Sequence, residues 1–212
     1  MTARIDHDKR RRELAATMMT IIAESGMESA TMRQIAQRAG YANGALAHYF
    51  RDKNELNRET FRYIFSSTMH RIDTNAAGLT GLAALRVFCI EMVPCDDIKR
   101  EGARVVIPFW QRALHDDQLA AEFQSAFRQL RHRASDYLRQ ALHDGELHTL
   151  DEAAALDRLS VTIYGLLVLA VLSPAELSAD RQIWLIDDLL DALRHARPAG
   201  GTTTSASGSP RG

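Results

Sequence analysis

The sequence contains little cysteine. Its two thiols, Cys89 and Cys95, do not form a CxxC motif, and we interpret them as reduced structural thiols, with a redox pair as the weaker alternative. The main apolar segment, residues 161–172, is shorter than the roughly 18 residues that a membrane span needs. The basic N-terminal segment lacks the continuous apolar core of a secretory signal. We therefore expect a cytoplasmic protein.

Catalytic and metal-binding motifs are also missing. The chain has no HExxH motif, no Gly-rich phosphate loop and no evident Ser/His/Asp pattern. The histidines of HDGELH, residues 143–148, flank a glycine that is placed where a helix should end, which favours a helix stop over a metal site. We expect no enzymatic activity, no cofactor and no metal ion; a helical hydrolase or metalloenzyme is the remote alternative.

The net charge of −1 conceals an uneven distribution. Residues 1–56 carry nine Lys or Arg against seven Asp or Glu, whereas the rest of the chain has a net charge of −3. A basic end on a mildly acidic body favours a polyanionic partner. A solvated helix start gives the same count and is the alternative.

Apolar residues recur at helical spacing along almost the whole chain, and no segment has the alternation of a strand. We predict an all-α protein of about nine helices. Gly26 ends the first helix, and Thr31 and Gln34 fit a capping box that opens the second. Gly40 ends the second helix, and Asp52 caps the fourth.

The sequence predicts the remaining helices behind this N-terminal part. Their approximate ranges are 43–49, 52–73, 82–93, 98–114 with a bend at Pro108, 117–143, 151–172 and 179–196. The final PAGGTTTSASGSPRG has no large apolar residue, so we predict that residues 198–212 are disordered.

Residues 40–50, GYANGALAHYF, fit the turn and recognition helix of a helix-turn-helix motif. Small residues at the start of such a helix let its backbone approach base edges in the major groove. Asn43 offers paired donor and acceptor groups to adenine, while Tyr49 and Lys53 suit phosphate contacts. Close helix packing is the alternative use of the small residues, but the capping box, glycine turn and HYFxxKxxL pattern together favour DNA binding.

The segment TMRQIAQRAGYANGALAHYFRDKNEL closely resembles the signature of TetR-type transcriptional regulators, and the match extends over about residues 10–65. The resemblance implies a homodimer that binds double-stranded palindromic operator DNA, which we expect to act as a repressor and to associate with the nucleoid. The residues that it implies in DNA contact are Thr31, Arg33, Asn43, Gly44, Ala45, His48, Tyr49 and Lys53.

Three positions depart from that signature. Ala42 replaces the usual Ser or Thr cap, Asn43 replaces a frequent Lys, and Ala47 replaces a frequent Tyr. Each change removes a hydroxyl or a charge, so fewer phosphate contacts are expected. A helical ligand-binding or scaffold protein with weakened DNA binding is therefore the alternative function.

The small residue before HYF is similar to the BetI-like branch of this family. FWQRALHDDQLAAEFQ, residues 109–124, and the turn around Asp144 and Gly145 also resemble that branch, less specifically. The resemblance implies a bundle with a pocket for an unknown small-molecule effector and a dimer interface on the last two helices. The candidate pocket residues are Cys89, Met92, Phe109, Trp110, Gln111 and Tyr164. Core packing is the alternative for these residues, and a cationic ligand over Trp110 is a weaker hypothesis.

We accordingly divide the chain into four parts. The predicted parts are a flexible basic arm (1–8), a helix-turn-helix domain (9–56), a helical ligand-binding and dimerisation domain (57–197) and the disordered tail (198–212). The apolar segment 161–172 and the stripe of Trp184 and Leu189 independently favour a dimer interface, although a monomer burying them internally is the alternative.

Overall fold

The protein is helical throughout the residues that the structure describes. A computed structural model describes residues 2–42 and 44–196, without the side chains of residues 2–5. Its α-helices are α1 (Thr2–Ser25), α2 (Met32–Arg38), α3 (Lys53–Asn75), α4 (Gly81–Met92), α5 (Asp97–Ala113), α6 (Asp117–His143), α7 (Glu152–Leu172) and α8 (Ala179–Arg194). Two 3-10 helices, Met27–Ser29 and Ala45–His48, lie near the front.

The all-α prediction is confirmed. Nine helices were expected, and the described part of the chain has eight α-helices because the segment predicted as the third helix is instead the 3-10 helix Ala45–His48. The predicted disordered tail, residues 198–212, lies outside the described residues.

Local signals set the ends of α2 as predicted. Thr31 accepts a hydrogen bond from the Gln34 backbone N–H at 3.2 Å, and the Gln34 side chain bonds back to Thr31 in a capping box. Gly40 has φ of 76°, and the next residue, Tyr41, donates its N–H to the Ala36 carbonyl at 2.8 Å. This is a Schellman motif, which turns the chain sharply after α2.

The start of α1 differs from the prediction. We predict a flexible arm over residues 1–8, whereas the structure describes residues 2–8 as the first turns of α1. Ion pairs at helical spacing support this extension, since Arg10 lies 2.8 Å from Glu13 and 3.8 Å from Asp6. The helix ends at Ser25 before Gly26, whose φ of 82° confirms the predicted stop.

One hydrophobic cluster, which we call the head cluster, joins the front helices to the bundle. It contains buried residues from α1, α2, the 3-10 helix Ala45–His48 and the first half of α3, together with Val105 and Phe109 of α5. The predicted domain boundary between residues 56 and 57 therefore falls inside α3 and inside this cluster. Packing between α1 and α5 makes the front of the molecule continuous with the bundle.

A second cluster, the bundle cluster, fills the rest of the molecule. It is formed by the end of α3 and by α4, α6, α7 and α8, with Leu85, Leu138 and Ile186 fully buried near its middle. Cys89 is also fully buried here, and burial raises its pKa to about 12. A thiol with that pKa is almost entirely protonated near neutral pH, which fits the structural interpretation of this residue.

The HDGELH segment follows α6 in the chain and contacts the start of α4. Glu146 accepts a hydrogen bond from the Leu82 backbone N–H at 2.7 Å and so caps the first turn of α4. A Cβ at Gly81, which has φ of 56°, would lie 2.8 Å from the Glu146 carboxylate. Gly145, with φ of 77°, lets the chain turn after α6, so the glycine and the acid of this segment both have structural roles.

Among the described helices, α7 is long and apolar enough to cross a membrane by length and composition alone, with 39% of its most apolar window buried within this chain. A core helix of a globular protein passes the same test. One face of α7, including Leu159 and Ile163, packs into the bundle cluster, whereas Val161 and Leu172 on the other face are exposed.

Candidate nucleic-acid interface and ligand cavity

Several of the predicted DNA-contacting residues are exposed, at the start of α2 and around the 3-10 helix Ala45–His48. We call residues 31–33, 42 and 44–53 the reading face. Thr31 caps α2 and Arg33 is exposed in its first turn. Gly44, with φ of 87°, precedes the 3-10 helix, in which His48 is exposed. A residue with a side chain would be strained at that φ, so the turn before the 3-10 helix depends on glycine.

Three further predicted contacts have different settings. Ala45 is the first residue of the 3-10 helix, and Lys53 is the first residue of α3; both are half-buried. Asn43, the predicted base-reading residue, lies outside the described residues. The roles of these side chains at DNA remain predictions.

Tyr49 is held among aromatic side chains directly after the 3-10 helix. Its ring centroid lies 5.2 Å from that of His7 in α1 and 5.8 Å from that of Tyr41 in the turn. The ring is half-buried, so it packs the end of the 3-10 helix against α1. This packing connects the reading face to α1.

Arg11 anchors the reading face from the inside. Its guanidinium donates to the Tyr49 carbonyl, bonds Glu55 at 3.0 Å and Glu59 at 3.1 Å, and stacks 4.3 Å from the Phe50 ring centroid. Arg11 belongs to the basic stretch Lys9–Arg12, and the structure pairs its charge with two acids of α3. The helical register contains this signal, because Arg11 lies three residues before the buried Leu14.

Glu55, one of the two acids that Arg11 pairs with, has a lowered pKa, which favours its charged form. The pKa of Glu55 is lowered mainly by the Arg51 backbone N–H, which donates to the carboxylate at 3.0 Å, and further by Arg11, against an opposing effect of burial. Lys9 and Arg12, by contrast, are exposed and make no described ion pair. The basic stretch therefore divides into an internal anchor and surface charges.

A cavity of about 260 Å³ lies between the front helices and the bundle. It is bordered by Met19, Thr20 and Ala23 of α1 and by residues of α3, α5, α6 and α7. Both the head cluster and the bundle cluster contribute to its wall. The cavity is therefore next to the elements that carry the reading face.

Aromatic rings line one side of this cavity. The ring centroid of Trp110 lies 5.3 Å from that of Tyr164 and 6.0 Å from that of Phe123, both in edge-to-face arrangements. Phe127 continues the group, 5.8 Å from Tyr164. Burial raises the pKa of Tyr164 to about 12, so its phenol stays neutral at physiological pH.

Charged groups lie at another part of the wall. Glu91 of α4 is 9% exposed and bonds Arg71 of α3 at 3.1 Å and Asn75 at 3.0 Å. Lys99 of α5 lies 3.6 Å from the same carboxylate. Burial tends to lower the pKa of Lys99, but its hydrogen bond to Asp96 and the neighbouring groups outweigh this effect and raise the pKa.

The six predicted pocket residues are divided between three places. Met92, Trp110 and Tyr164 line the cavity. Cys89 and Phe109 are fully buried in the two clusters and do not line it, and Gln111 faces a separate polar cleft between α3 and α5. Cys89 and Phe109 therefore have the alternative role, which is packing in the core.

Several cavity residues were not predicted from the sequence. Phe123 and Phe127 of α6 and Arg71 and Lys99 line the cavity without having been proposed. Phe123 and Phe127 are one helical turn apart, so the sequence predicts that they share a face of α6. It does not predict which helix that face packs against. In the described part of the chain, no three His, Cys, Asp or Glu side chains are grouped so that they could hold a metal ion.

Comparison with known proteins gives matches over both parts of the chain. Residues 14–60 match the family model of bacterial regulatory proteins of the tetR family, and residues 82–195 match that of the C-terminal part of BetI-type transcriptional repressors. The chain is 30% identical over 188 residues to the HTH-type transcriptional regulator PksA of Bacillus subtilis, a match that covers 85% of this chain and 88% of that protein.

Solved structures show the same architecture. A transcriptional regulator from Rhodococcus sp. Rha1 superposes with a TM-score of 0.77 at 26% identity, covering 86% of this chain and 95% of that one. A regulator from Saccharomonospora viridis in complex with choline superposes with a TM-score of 0.79 at 18% identity, covering 86% of this chain and 96% of that one. The second likeness concerns the fold alone.

Proposed function

The chain belongs to the TetR family of transcriptional regulators, with a BetI-type C-terminal part, and we propose that it is a homodimeric repressor that a small-molecule effector releases from a palindromic operator. The main support for release by a ligand is the position of the cavity against α1 and α3. As a member of a family of DNA-binding regulators, the protein acts in the cytoplasm, and we propose that it associates with the nucleoid when bound to DNA.

The proposed coupling between the cavity and the DNA-binding residues runs through packed side chains. Phe61 of α3 lines the cavity and packs in the head cluster beside Phe109, with ring centroids 6.4 Å apart. A ligand that favours a tilted α3 would change the separation of the two reading faces in a dimer. Operator half-sites lie about 34–36 Å apart or a multiple of this, so such a change weakens binding.

Dimerisation through α7 and α8 is supported by their exposed apolar faces. Val161, Leu169 and Leu172 are 75%, 52% and 72% exposed, and they share one face of α7 with Gly165, which leaves room for close approach of another helix. Trp184 of α8 is 49% exposed. Large apolar side chains grouped on a surface are typical of protein interfaces.

The experiment begins with operator mapping. Protection of bases upstream of the gene for this protein and its neighbours should identify an imperfect palindrome, and light scattering should give twice the single-chain mass of 23.7 kDa. A metabolite screen should then find a ligand that lowers operator affinity about 5- to 150-fold, the effect of a coupling of about 1–3 kcal/mol. A monomer in solution, or ligands that stabilise the protein and leave operator affinity unchanged, would contradict the proposal.

Phosphate contacts and base contacts can be distinguished by how operator affinity falls in each variant. Lys53→Ala and Tyr49→Phe should weaken binding equally for all operator variants, and Lys53→Ala should flatten the dependence of log K on log salt by about one phosphate contact. Asn43→Ala should relax preference at one or two base pairs by about 1–3 kcal/mol. A uniform loss for Asn43→Ala would contradict base reading.

The alternative is a ligand-binding or scaffold protein with weakened DNA binding. It is favoured by Ala42 and Ala47, which are exposed on the reading face and cannot hydrogen-bond a phosphate. Equal, weak affinity for the mapped palindrome and for scrambled DNA of the same length would support this alternative.

A further inference from the structure

The charged part of the cavity wall bears on the chemistry of its occupant. The cavity is small, since its volume of about 260 Å³ lies just below the ~300–1,000 Å³ that is typical of small-molecule pockets. Apolar and aromatic side chains form most of its wall. The few polar side chains at this wall therefore decide which headgroup can be accommodated.

The acid in this wall, Glu91, is already satisfied. Its Oε1 accepts from Asn75 Nδ2 at 3.0 Å and lies 3.6 Å from Lys99 Nζ, and its Oε2 accepts from Arg71 Nε at 3.1 Å. Glu91 is thus paired with two cations, of which Lys99 also pairs with Asp96. A cationic ligand would have to displace one of these partners to reach Glu91. The other acid that lines the cavity, Glu101, is exposed to solvent at the start of α5.

The two cations differ in how much capacity they retain. Lys99 Nζ bonds Asp96 at 3.1 Å and the Ile90 carbonyl at 3.2 Å in addition to its contact with Glu91. Arg71 uses Nε for Glu91 and Nη2 for Thr68 Oγ1 at 3.3 Å. Within the described residues, Nη1 of Arg71 has no hydrogen-bond partner. Arg71, whose side chain is 38% exposed, therefore brings unused N–H donors to the cavity wall.

From this asymmetry we infer that the cavity takes a small, mainly apolar carboxylate, whose headgroup binds Arg71 and whose body packs against Trp110 and Phe123. A guanidinium with free N–H groups suits a carboxylate because charge-assisted hydrogen bonds are the strongest available. The inference rests on the proposed function for the statement that the occupant is an effector, whereas the preference for a carboxylate rests on Arg71 and Glu91 alone.

The test is a headgroup series on one body, measured by calorimetry on the full-length protein. The probes are 4-phenylbutanoate, 4-phenylbutanol and 4-phenylbutylamine, with choline as a further cation. The carboxylate should bind at least about tenfold more tightly than the alcohol, and the two cations most weakly. Tighter binding of the amine or of choline, or no binding by any of the probes, would overturn the inference.

Variants then locate the headgroup. Arg71→Gln should weaken 4-phenylbutanoate binding about tenfold or more and leave the alcohol unchanged, while Arg71→Lys should retain part of the preference. Arg133→Gln is the matched control, because Arg133 pairs with Asp73 of α3 at 2.7 Å but does not line the cavity. An equal loss for the acid and the alcohol in Arg71→Gln would overturn the assignment.

A double variant protects the test against misfolding. Arg71→Gln leaves the mostly buried Glu91 with fewer partners, so Arg71→Gln/Glu91→Gln removes both charges together and should show the same loss of preference for the acid. Failure of the proposed function has a different signature: 4-phenylbutanoate would bind with the expected preference and leave operator affinity unchanged. Release of the operator by a cation but not by the acid would overturn only the carboxylate inference.

Discussion

The ion pairs beside the head cluster and those at the cavity wall differ in how many hydrogen-bond donors they leave free. At the head, Arg11 bonds Glu55 and Glu59 at the edge of an apolar core, and the group holds the end of the 3-10 helix in place. At the cavity, Glu91 lies within the wall, and Arg71 beside it keeps unused donors. The head is built to keep one shape at the reading face, whereas the cavity leaves space and hydrogen-bonding capacity for another molecule. A regulator of this kind needs both properties in contact.

The largest expected effect separates the packed core from the cavity wall. Phe109 is fully buried in the head cluster, whereas its neighbour Trp110 is half-buried and borders the cavity. Phe109→Ala should lower the free energy of unfolding by about 3–5 kcal/mol, because it leaves a void that tightly packed neighbours cannot fill. Urea denaturation measures this loss.

Trp110→Ala is the matched comparison on the next residue. Trp110→Ala should lower the free energy of unfolding clearly less than Phe109→Ala does, because part of the indole already faces the cavity. It should, however, alter ligand binding. Equal losses of stability for the two variants would mean that the cavity is as tightly packed as the head, and would remove the distinction between them.

The second prediction concerns the basic stretch of α1. Arg11→Gln should lower the free energy of unfolding by about 2 kcal/mol, because Glu55 and Glu59 lose their shared, partly buried partner. Operator affinity should fall as well, since the Tyr49 carbonyl is no longer held. Chemical denaturation and a salt series of operator binding measure the two effects.

Arg12→Gln is the control for that variant, because Arg12 is exposed. It should leave stability within about 0.5 kcal/mol and only flatten the salt dependence of binding. If Arg11→Gln and Arg12→Gln behave alike, Arg11 is a surface charge and not an anchor.

The contrast between head and cavity also explains which features the sequence could predict. The turn of the reading face is encoded locally: Thr31 caps α2 by bonding a residue three positions later, and Gly40 ends it by its own backbone conformation. Such signals lie within a few residues and can be read without knowing which helices meet. The capping box and both helix stops were predicted correctly for this reason.

The cavity is specified by contacts between distant segments. Phe109 and Trp110 are adjacent in sequence but point to a core and to a cavity, and only the packing of α5 against α1 and α6 decides which is which. Arg71 gave no signal because an arginine in an amphipathic helix is normally solvated. Its neighbour Glu91 is twenty positions away, and the free donors of Arg71 become apparent only when that pair is seen.

The smallest predicted effect lies in the first half of α3, which contributes Leu56 and Phe61 to the head cluster. Asn57 is fully buried, and both polar atoms of its side chain lack a hydrogen-bond partner in the described structure. A buried amide without partners destabilises a protein, whereas an apolar residue of similar shape does not. Asn57→Leu should therefore raise the free energy of unfolding by about 1 kcal/mol.

Asn54→Leu is the matched control, because Asn54 is exposed and accepts from Arg112 at 2.6 Å, so it should be neutral or destabilising. A loss of stability in Asn57→Leu would mean that the amide has a partner in solution, such as an ordered water, and that this part of α3 is as well satisfied as the head.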